Sequence, residues 1–246
     1  MRSVVLTGVS RGLGAALFDE FVAAGDRVVA LGRRFTDAQR ALASAQPHRI
    51  RLRETDLADP ASLPGATELA DLLAGGDPAA ELVLVHNAAV FEPFGPIGTL
   101  DPADVISAVK VNLIAPMLLT NMLFSAARIP PESADERIPG RPVTVLFLSS
   151  AAAHNVAGGR SVYSSTKRAA EMFFASLGTE REFDPHVRVA IVDPGIMDTD
   201  MQSVVRRHAR DDAYFPGRER FIERYERGEL PAPDAVARKI IATHLR

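Results

Sequence analysis

Residues 3–14 have the sequence SVVLTGVSRGLG, in which a β-branched apolar run leads directly into a glycine-rich turn. A helical pattern begins at Leu13, so the glycines at positions 8, 12 and 14 lie between a strand and a helix. Glycine permits a tight turn, close approach of the backbone to a ligand, and close packing of the helix on the sheet. The free N–H groups at such a helix N-terminus suit a pyrophosphate. A glycine-rich turn without a ligand is the alternative, but the strand–turn–helix context predicts a nucleotide site at Gly8, Ser10, Arg11, Gly12, Leu13 and Gly14.

Short β-branched runs alternate with longer helical patterns along the rest of the chain. Each run is almost continuously apolar, which is typical of parallel strands covered on both faces. The predicted strands are Ser3–Thr7, Arg27–Gly32, Arg49–Arg53, Glu81–His86, Val143–Ser149 and Val187–Asp193. The predicted helices are Leu13–Ala24, Asp37–Ala45, Ala61–Ala74, Pro102–Ala127, Val162–Phe183 and Asp234–His244. This alternation predicts a doubly wound, Rossmann-type α/β fold with a six-stranded parallel sheet and helices on both faces.

Two stretches interrupt the alternation. Ile129–Pro142 is rich in proline and charge, which predicts a surface loop before the fifth strand. Met197–Pro233 carries many charges and few strand signals, which predicts a mobile helical flap over a substrate site. Because no shift of composition marks a boundary, residues 1–246 are predicted to form a single domain.

The composition of the 246 residues restricts the classes of function. Lys and Arg total 28 against 31 Asp and Glu, so the net charge of −3 offers no basic excess for binding nucleic acid. The absence of Cys excludes disulfides, thiol catalysis and Cys-ligated zinc, and the six His residues are scattered rather than clustered for a metal. We expect a cytoplasmic protein, because the N-terminus lacks a signal-peptide pattern and no apolar run approaches the roughly 18–20 residues of a membrane span.

The end of the second predicted strand indicates which nucleotide is bound. An NAD site places an acidic residue near this strand end to bind the ribose 2′-hydroxyl. Here Gly32 occupies that position, Arg33 and Arg34 follow it, and Arg11 points to the same region. Guanidinium groups suit a 2′-phosphate because they combine charge with forked donors. The arginines could also be solvated surface charges, but the pattern favours NADP(H) over NAD.

Tyr163 and Lys167 are four residues apart on a predicted helix and therefore share one face. The ordinary tyrosine pKa of about 10 makes the phenol a poor acid–base group at neutral pH. A cation about 4 Å away, at an effective dielectric constant of about 20, would lower that pKa by roughly three units. Lys167, together with an oxidised nicotinamide, is therefore expected to bring Tyr163 into its working range.

Two further polar residues complete this constellation. Ser150 closes the fifth predicted strand thirteen residues before Tyr163, at the carboxyl edge of the sheet where ligands bind in such folds. Asn112 lies within an apolar helical run, and a water-mediated relay to Lys167 would explain its presence. A surface pair on the helix, a simple strand end and a bridge to neighbouring backbone are the structural alternatives. The joint occurrence of these residues after a glycine-rich turn favours catalysis.

With these motifs the sequence resembles the short-chain dehydrogenase/reductase family over nearly its whole length. The resemblance implies hydride transfer from a nicotinamide coenzyme, while the protein positions and protonates the substrate. The family has Asn-Ala-Gly where this chain has Asn87-Ala88-Ala89, a difference of one methyl group. The motifs that carry the resemblance are Thr7–Gly14, Asp56-Leu57, Asn87-Ala88-Ala89, Asn112, Ser150, Tyr163–Lys167 and Pro194-Gly195.

The resemblance also implies a role for each of these residues. Tyr163 would be the general acid for carbonyl reduction, Lys167 would lower its pKa and bind the ribose, and Ser150 would polarise the carbonyl. Asn112 would complete the proton relay. Beside the glycine-rich turn, the implied coenzyme-binding residues are Arg33, Asp56, Leu57, Asn87, Ala88, Tyr163, Lys167, Pro194, Gly195, Ile196 and Thr199.

A closer resemblance is to the sepiapterin reductase-like branch, which includes bacterial benzil-type diketone reductases. It is carried by Asp198–Gln202, by the proline-rich insert and by the charged helical segment that follows. Sepiapterin-type enzymes carry a substrate-anchoring Asp in a C-terminal tail, and no residue here matches it. Family members also continue into a seventh strand, whereas six are expected here. The resemblance therefore implies reduction of ketones or diketones with NADPH and does not extend to pterin specificity.

Loops that follow the fourth, fifth and sixth predicted strands supply candidate substrate-pocket residues. Aromatic and methionine side chains in such loops suit an apolar or aromatic carbonyl compound, although ordinary loop packing is an equally open interpretation of each. The candidates are Phe91, Glu92, Phe94, His154, Met197 and Tyr214.

The same sequence features bear on alternative functions and on the oligomeric state. A non-catalytic NADP-binding sensor or scaffold of the same fold needs only the glycine-rich turn, so the intact Ser150, Tyr163 and Lys167 favour the enzyme. The glycine spacing and short chain disfavour an epimerase or dehydratase of the extended branch. The helices Pro102–Ala127 and Val162–Phe183 carry more apolar surface than one sheet face needs, and the family resemblance implies that they pair across a two-fold axis in a homodimer.

Overall fold

The computed structural model describes residues 1–77, 79–127, 141–208 and 218–245. Its centre is a sheet of six parallel strands, and the spatial order is β3-β2-β1-β4-β5-β6. The winding direction reverses between β1 and β4, which is where ligands bind in open α/β sheets. The predicted doubly wound, Rossmann-type fold is confirmed. The strands are β1 (Ser3–Thr7), β2 (Arg27–Gly32), β3 (Ile50–Glu54), β4 (Leu82–His86), β5 (Val143–Leu148) and β6 (Val187–Val192).

Helices connect the strands and cover both faces of the sheet. The α2 helix begins at a capping box, because the Thr36 hydroxyl accepts from the Gln39 backbone N–H and the Gln39 side chain accepts from the Thr36 N–H. The helices are α1 (Gly12–Ala23), α2 (Asp37–Ala45), α3 (Ala66–Leu73), α4 (Pro102–Val109), α5 (Ala115–Ala126), α6 (Ser161–Glu180), α7 (Asp200–His208), α8 (Arg218–Glu226) and α9 (Pro233–His244).

Consecutive residues of β1 supply the two apolar layers of the core. Val4 belongs to the layer that contains Phe18 of α1 and side chains of α9. Val5 belongs to the layer on the other face, with Leu119 of α5 and Phe174 of α6. Because β1, β4 and β5 pair in parallel, their carboxyl ends lie together at one edge of the sheet.

The long helix predicted over Pro102–Ala127 is divided into α4 and α5. A π-helical stretch, Lys110–Ile114, joins the two and contains Asn112. Such stretches insert one residue into a helix and occur frequently at functional sites. The division therefore marks the position of a candidate catalytic residue.

The helix predicted over Ala61–Ala74 is shorter in the structure. A 3-10 turn covers Pro60–Ser62, and α3 begins only at Ala66. Pro64 explains the gap, because the residue before a proline is disfavoured in the α conformation. Most of the predicted proline-rich loop and the middle of the predicted flap lie outside the described residues, at positions 128–140 and 209–217.

The continuous helical stretch Pro102–Ala126 is long and apolar enough to cross a membrane by length and composition, with a mean hydropathy of 1.5. The expectation that no segment approaches a membrane span is therefore wrong. Single polar residues such as Asn121 interrupt the apolar run, but its mean hydropathy remains high. One face of this stretch, including Leu119 and Leu123, is buried in the core, and core helices of soluble proteins pass the same test.

Candidate active site

The glycine-rich turn between β1 and α1 is closely packed against the end of β4. Gly8 has a φ of +75°, and a Cβ at this position would lie 2.9 Å from the backbone and side chain of Ala88. A Cβ at Gly14 would lie 1.9 Å from the carbonyl oxygen of Gly8 and 2.4 Å from Nδ2 of Asn87. Both positions therefore require glycine to bring α1 against the junction of β1 and β4.

The N-terminus of α1 is open to a ligand. Arg11 is the N-cap residue, no side chain caps the helix, and its first turn contains no acidic residue. Ser10 and Arg11 are exposed, and Gly12 has a φ of +55°. The uncapped N–H groups and the helix dipole fit the phosphates of a dinucleotide.

Asn87 and Thr7 hold the end of β4 against this turn. Asn87 Nδ2 donates to the carbonyl oxygens of Thr7 and Gly8 at 3.1 and 2.9 Å. Thr7 Oγ1 accepts from the backbone N–H groups of Asn87 and Ala88, each at 3.1 Å. These bonds fix the strand edge beside the glycine-rich turn, where Asn87 and Ala88 are expected to contact a dinucleotide.

The carboxyl end of β2 is basic and exposed. Gly32 ends the strand, and Arg33 and Arg34 follow it as exposed residues. In the part of the chain that the structure describes, neither guanidinium pairs with a carboxylate. Arg11 differs, because its Nη1 lies 3.1 Å from Oδ2 of Asp200 in α7. Arg33 and Arg34 are therefore available to a phosphate group, whereas Arg11 would first have to leave Asp200.

The other predicted coenzyme residues lie along the same edge of the sheet. Asp56 and the buried Leu57 follow β3, and Pro194, Gly195 and Ile196 follow β6. The next turn reaches the glycine-rich turn itself, since a Cβ on Gly12 would lie 3.3 Å from Cγ2 of Thr199. The structure thus gathers these residues at the carboxyl ends of β1, β3, β4 and β6.

Tyr163 lies in the first turn of α6 and is 6% exposed. Its side chain shares a hydrogen bond with Ser150, whose Oγ also accepts from the backbone N–H of Ala152 at 3.2 Å. Burial raises the pKa of Tyr163 above its ordinary value and outweighs the lowering by the bond to Ser150. The charge of Asp193 raises the pKa further, and that of Arg160 lowers it. The phenol is therefore protonated at neutral pH.

Lys167 lies one turn further along α6 and is fully buried. Its Nζ donates to the carbonyl oxygen of Leu148 at 2.6 Å and lies 5.9 Å from the ring centroid of Tyr163. Burial lowers the pKa of Lys167 to about 8, although Glu171 raises it. The expectation that Lys167 lowers the Tyr163 pKa by three units is wrong for the protein side chains alone. The ammonium group turns towards the end of β5, and burial of the phenol dominates.

Asn112 is buried in the π-helical stretch between α4 and α5. Its Oδ1 accepts from the backbone N–H of Val90 and its Nδ2 donates to the Val90 carbonyl oxygen, both at 2.8 Å. Nδ2 also donates to Thr166 Oγ1 at 3.2 Å. This is the backbone bridge that the sequence left open as an alternative. It ties the loop after β4 to α6, between Tyr163 and Lys167.

Aromatic residues cover the ring of Tyr163. The ring centroid of Phe91 lies 5.0 Å from that of Tyr163 and 5.8 Å from that of Phe94. These two predicted pocket residues therefore lie at the candidate site. Flap residues that the sequence did not indicate as pocket residues join the same cluster. They are Met201 and Val205 of α7 and Phe221 of α8.

Of the other predicted pocket residues, Met197 lies away from the site, whereas Glu92 and His154 line cavities beside it. Met197 belongs to the core layer that contains α1 and α9, so its prediction as a pocket residue is wrong, because the chain turns inwards after β6. Glu92 lines a cavity of about 470 Å³ together with Phe94. His154 Nε2 lies 2.8 Å from Oε2 of Glu171. Tyr214 lies outside the described residues.

Sequence analysis missed a buried acidic residue at the site. Glu171 is 8% exposed, lies one turn beyond Lys167 on α6, and accepts from Ser149 Oγ at 2.5 Å. The spacing of four residues between a lysine and an acid was the available signal. Burial of the acid depends on how α6 packs on β5, which the spacing alone does not give.

Comparisons with known proteins agree with this geometry. The chain matches the family model described as short chain dehydrogenase over residues 2–210. It is 30% identical over 243 residues to a benzil reductase, (S)-benzoin forming, of Bacillus cereus, with 98% of this chain and 92% of that protein covered. It is 30% identical over 246 residues to the sepiapterin reductase of Meriones unguiculatus, with 96% and 88% covered. The crystal structure of the KRED1-Pglu enzyme superimposes with a TM-score of 0.81 at 28% identity, covering 100% of this chain and 95% of that one.

Proposed function

Since the chain belongs to the short-chain dehydrogenase/reductase family, we propose that it reduces a ketone or diketone with NADPH. The observation that carries this proposal is the arrangement of Ser150, Tyr163 and Lys167 beside the glycine-rich turn. The two hydroxyl groups share a hydrogen bond at the sheet edge, and the buried ammonium lies behind the phenol ring. A substrate carbonyl oxygen would lie between the hydroxyl groups.

Each residue of the site has a separate role in the proposed reaction. When bound, the coenzyme supplies the hydride that the carbonyl carbon accepts. Tyr163 transfers its hydroxyl proton to the carbonyl oxygen, while Ser150 donates a hydrogen bond to that oxygen. A raised Tyr163 pKa keeps the phenol protonated, which is the state that a reduction requires. Lys167 stabilises the phenolate that remains, and Asn112 serves the proton relay by holding α6 in place.

The exposed arginines support the choice of NADPH. Arg33 follows directly after Gly32, where an NAD site would carry an acidic residue. Arg33 and, after release from Asp200, Arg11 would bind the 2′-phosphate. Hydrogen bonds to charged groups contribute about 1.5–3 kcal/mol, so this contact would favour NADPH over NADH by at least about tenfold.

The cluster over Tyr163 supports an apolar, aromatic substrate. Phe91, Phe94 and the flap residues Met201, Val205 and Phe221 present apolar surface to the reacting carbonyl. We assign residues 1–246 to a single domain in which 197–233 acts as the substrate flap. The benzil reductase of Bacillus cereus, by its name, acts on a diaryl diketone, and the same compound is a suitable first substrate here.

The direct test is steady-state oxidation of NADPH and NADH with benzil, with other aryl diketones and with aliphatic ketones. We expect turnover with the aryl compounds and a kcat/KM at least about tenfold higher with NADPH. A preference for NADH would contradict the assignment of the arginines. Binding of NADPH without turnover of any carbonyl compound would favour a sensor or scaffold.

The protein is further proposed to be a cytoplasmic homodimer. Ile106 of α4 is 55% exposed, and Leu113, Met117 and Met122 along the same helical stretch are only half-buried. A second copy would cover this apolar surface. Light scattering at micromolar concentration should give twice the chain mass, and Ile106→Asp should give monomers. A monomeric wild-type protein would contradict this assignment.

A further inference from the structure

Two side chains of α6 hold consecutive residues at the end of β5. Lys167 Nζ donates to the carbonyl oxygen of Leu148 at 2.6 Å. One turn further along the helix, Glu171 Oε1 accepts from Ser149 Oγ at 2.5 Å. The next residue of the chain is Ser150, which shares a hydrogen bond with Tyr163. A cation and an anion of one helix thus fix the strand end that presents Ser150.

The other oxygen of the Glu171 carboxylate faces two basic side chains. Its Oε2 lies 2.8 Å from His154 Nε2 and 3.4 Å from Arg168 Nη1. His154 follows the short 3-10 turn that Ser150 caps. Glu171 therefore holds both the start and the end of the turn that carries Ser150. The carboxylate is therefore surrounded by Ser149, His154 and Arg168, each within 3.4 Å of one of its oxygens.

We propose that Glu171 is a positioning residue: it holds the end of β5, and with it Ser150, in place for proton transfer to the substrate, and it lies one helical turn from the buried ammonium of Lys167. The kinetic part of this inference rests on the proposed reductase function. Its electrostatic part concerns the chain alone, because Lys167 and Glu171 lie on one face of α6 whether or not substrate is present.

Among the titratable groups around Lys167, Glu171 is the carboxylate that affects the Lys167 pKa. Burial lowers the Lys167 pKa to about 8, and Glu171 is what raises it. From β4, His86 faces the ammonium, but burial lowers the pKa of His86 to about 3, so it is neutral. Tyr163 is also neutral near pH 7, and Asp193 after β6 acts on the phenol. Among the described residues, no other carboxylate has a resolved effect on Lys167.

The test replaces the carboxylate by its uncharged isostere in Glu171→Gln. The side-chain amide can still accept from Ser149, so the change removes the charge and keeps the shape. The sequence contains three lysines, Lys110, Lys167 and Lys239. Their Cε resonances can therefore be followed separately after selective ¹³C labelling. We expect the Lys167 titration to move to lower pH by about one unit or more, as the loss of a nearby opposite charge requires.

The kinetic readout is the pH profile of kcat for the reductase reaction. A lower Lys167 pKa moves the alkaline limb to lower pH. With a one-unit shift from about 8, the loss of protonated Lys167 is about fivefold at pH 8 and small at pH 6. A purely structural role would lower kcat equally at both pH values. Arg168→Gln is the matched control, because it removes an exposed partner of the carboxylate and should leave the Lys167 titration in place.

The outcomes separate the inference from the proposed function. A Lys167 titration that is unchanged in Glu171→Gln overturns the inference, whatever the activity. A shifted titration in a protein that reduces no carbonyl compound supports the electrostatic role and contradicts the reductase assignment. If Glu171→Gln fails to fold, Glu171→Asp retains the charge and should keep the Lys167 titration near that of the wild type. A large shift in Glu171→Asp overturns the inference.

Discussion

Tyr163→Phe should lower kcat for carbonyl reduction by about 10²- to 10⁴-fold, the range that a positioned general acid contributes. The change removes only the hydroxyl group, so the ring remains packed against Phe91 at 5.0 Å between centroids. Ser150 Oγ still accepts from the backbone N–H of Ala152. The free energy of unfolding should therefore change by only about 1 kcal/mol. The affinity for NADPH should fall by no more than about tenfold, the effect of one lost hydrogen bond to the coenzyme.

The measurement combines steady-state kinetics, NADPH titration and thermal unfolding. Tyr225→Phe is a matched control, because Tyr225 lies on α8 with 47% of its surface exposed and its ring packed under Arg206. This control should retain its activity. If Tyr163→Phe keeps a kcat within tenfold of the wild type, the phenol is not the proton donor.

Gly14→Ala should weaken NADPH binding strongly and destabilise the fold. The new methyl group would lie 1.9 Å from the carbonyl oxygen of Gly8 and 2.4 Å from Nδ2 of Asn87. Hydrogen bonds fix Gly8 and Asn87 to each other and to Thr7, so α1 must move outwards. Overpacking of this kind typically costs about 1–3 kcal/mol. Displacement of two N–H groups from a phosphate would weaken binding by about 100-fold or more.

Calorimetric titration with NADPH and denaturant unfolding measure the two effects separately. Gly178→Ala is the matched control within a helix, because a Cβ at Gly178 meets only Val189, at an ordinary 3.9 Å. Alanine in a helix interior should stabilise the fold by about 0.5–1 kcal/mol and leave NADPH binding intact. Normal NADPH affinity of Gly14→Ala would show that the N-terminus of α1 is not the phosphate site.

The parts of the fold that local patterns determine were predictable from the sequence. Two strands and a helix have the predicted bounds, because β-branched runs and a capping box act over a few residues. They are Ser3–Thr7, Arg27–Gly32 and Asp37–Ala45. The family resemblance and the branch that it indicated are confirmed by the family model and by the benzil and sepiapterin reductases.

The properties that depend on distant contacts were not predictable. The π-helical stretch accompanies the bridge from Asn112 to Val90 and Thr166, which joins three separate elements. The direction of the Tyr163 pKa shift depends on burial, whereas the four-residue spacing to Lys167 indicates only that a charge is near. Met197 comes directly after the predicted coenzyme-binding residues Pro194–Ile196 and was a predicted pocket residue, yet it lies in the core. In each case tertiary packing, rather than local pattern, decides the outcome.

The ion pair between Arg11 and Asp200 has a consequence for the order in which ligands associate. It joins the base of the flap to the phosphate loop, and both side chains are mostly exposed. A pair so exposed contributes at most about 1 kcal/mol, so a doubly charged phosphate readily displaces the carboxylate. An arginine that turns to the phosphate releases the start of α7. We therefore expect the dinucleotide to associate before the carbonyl compound, in a compulsory order.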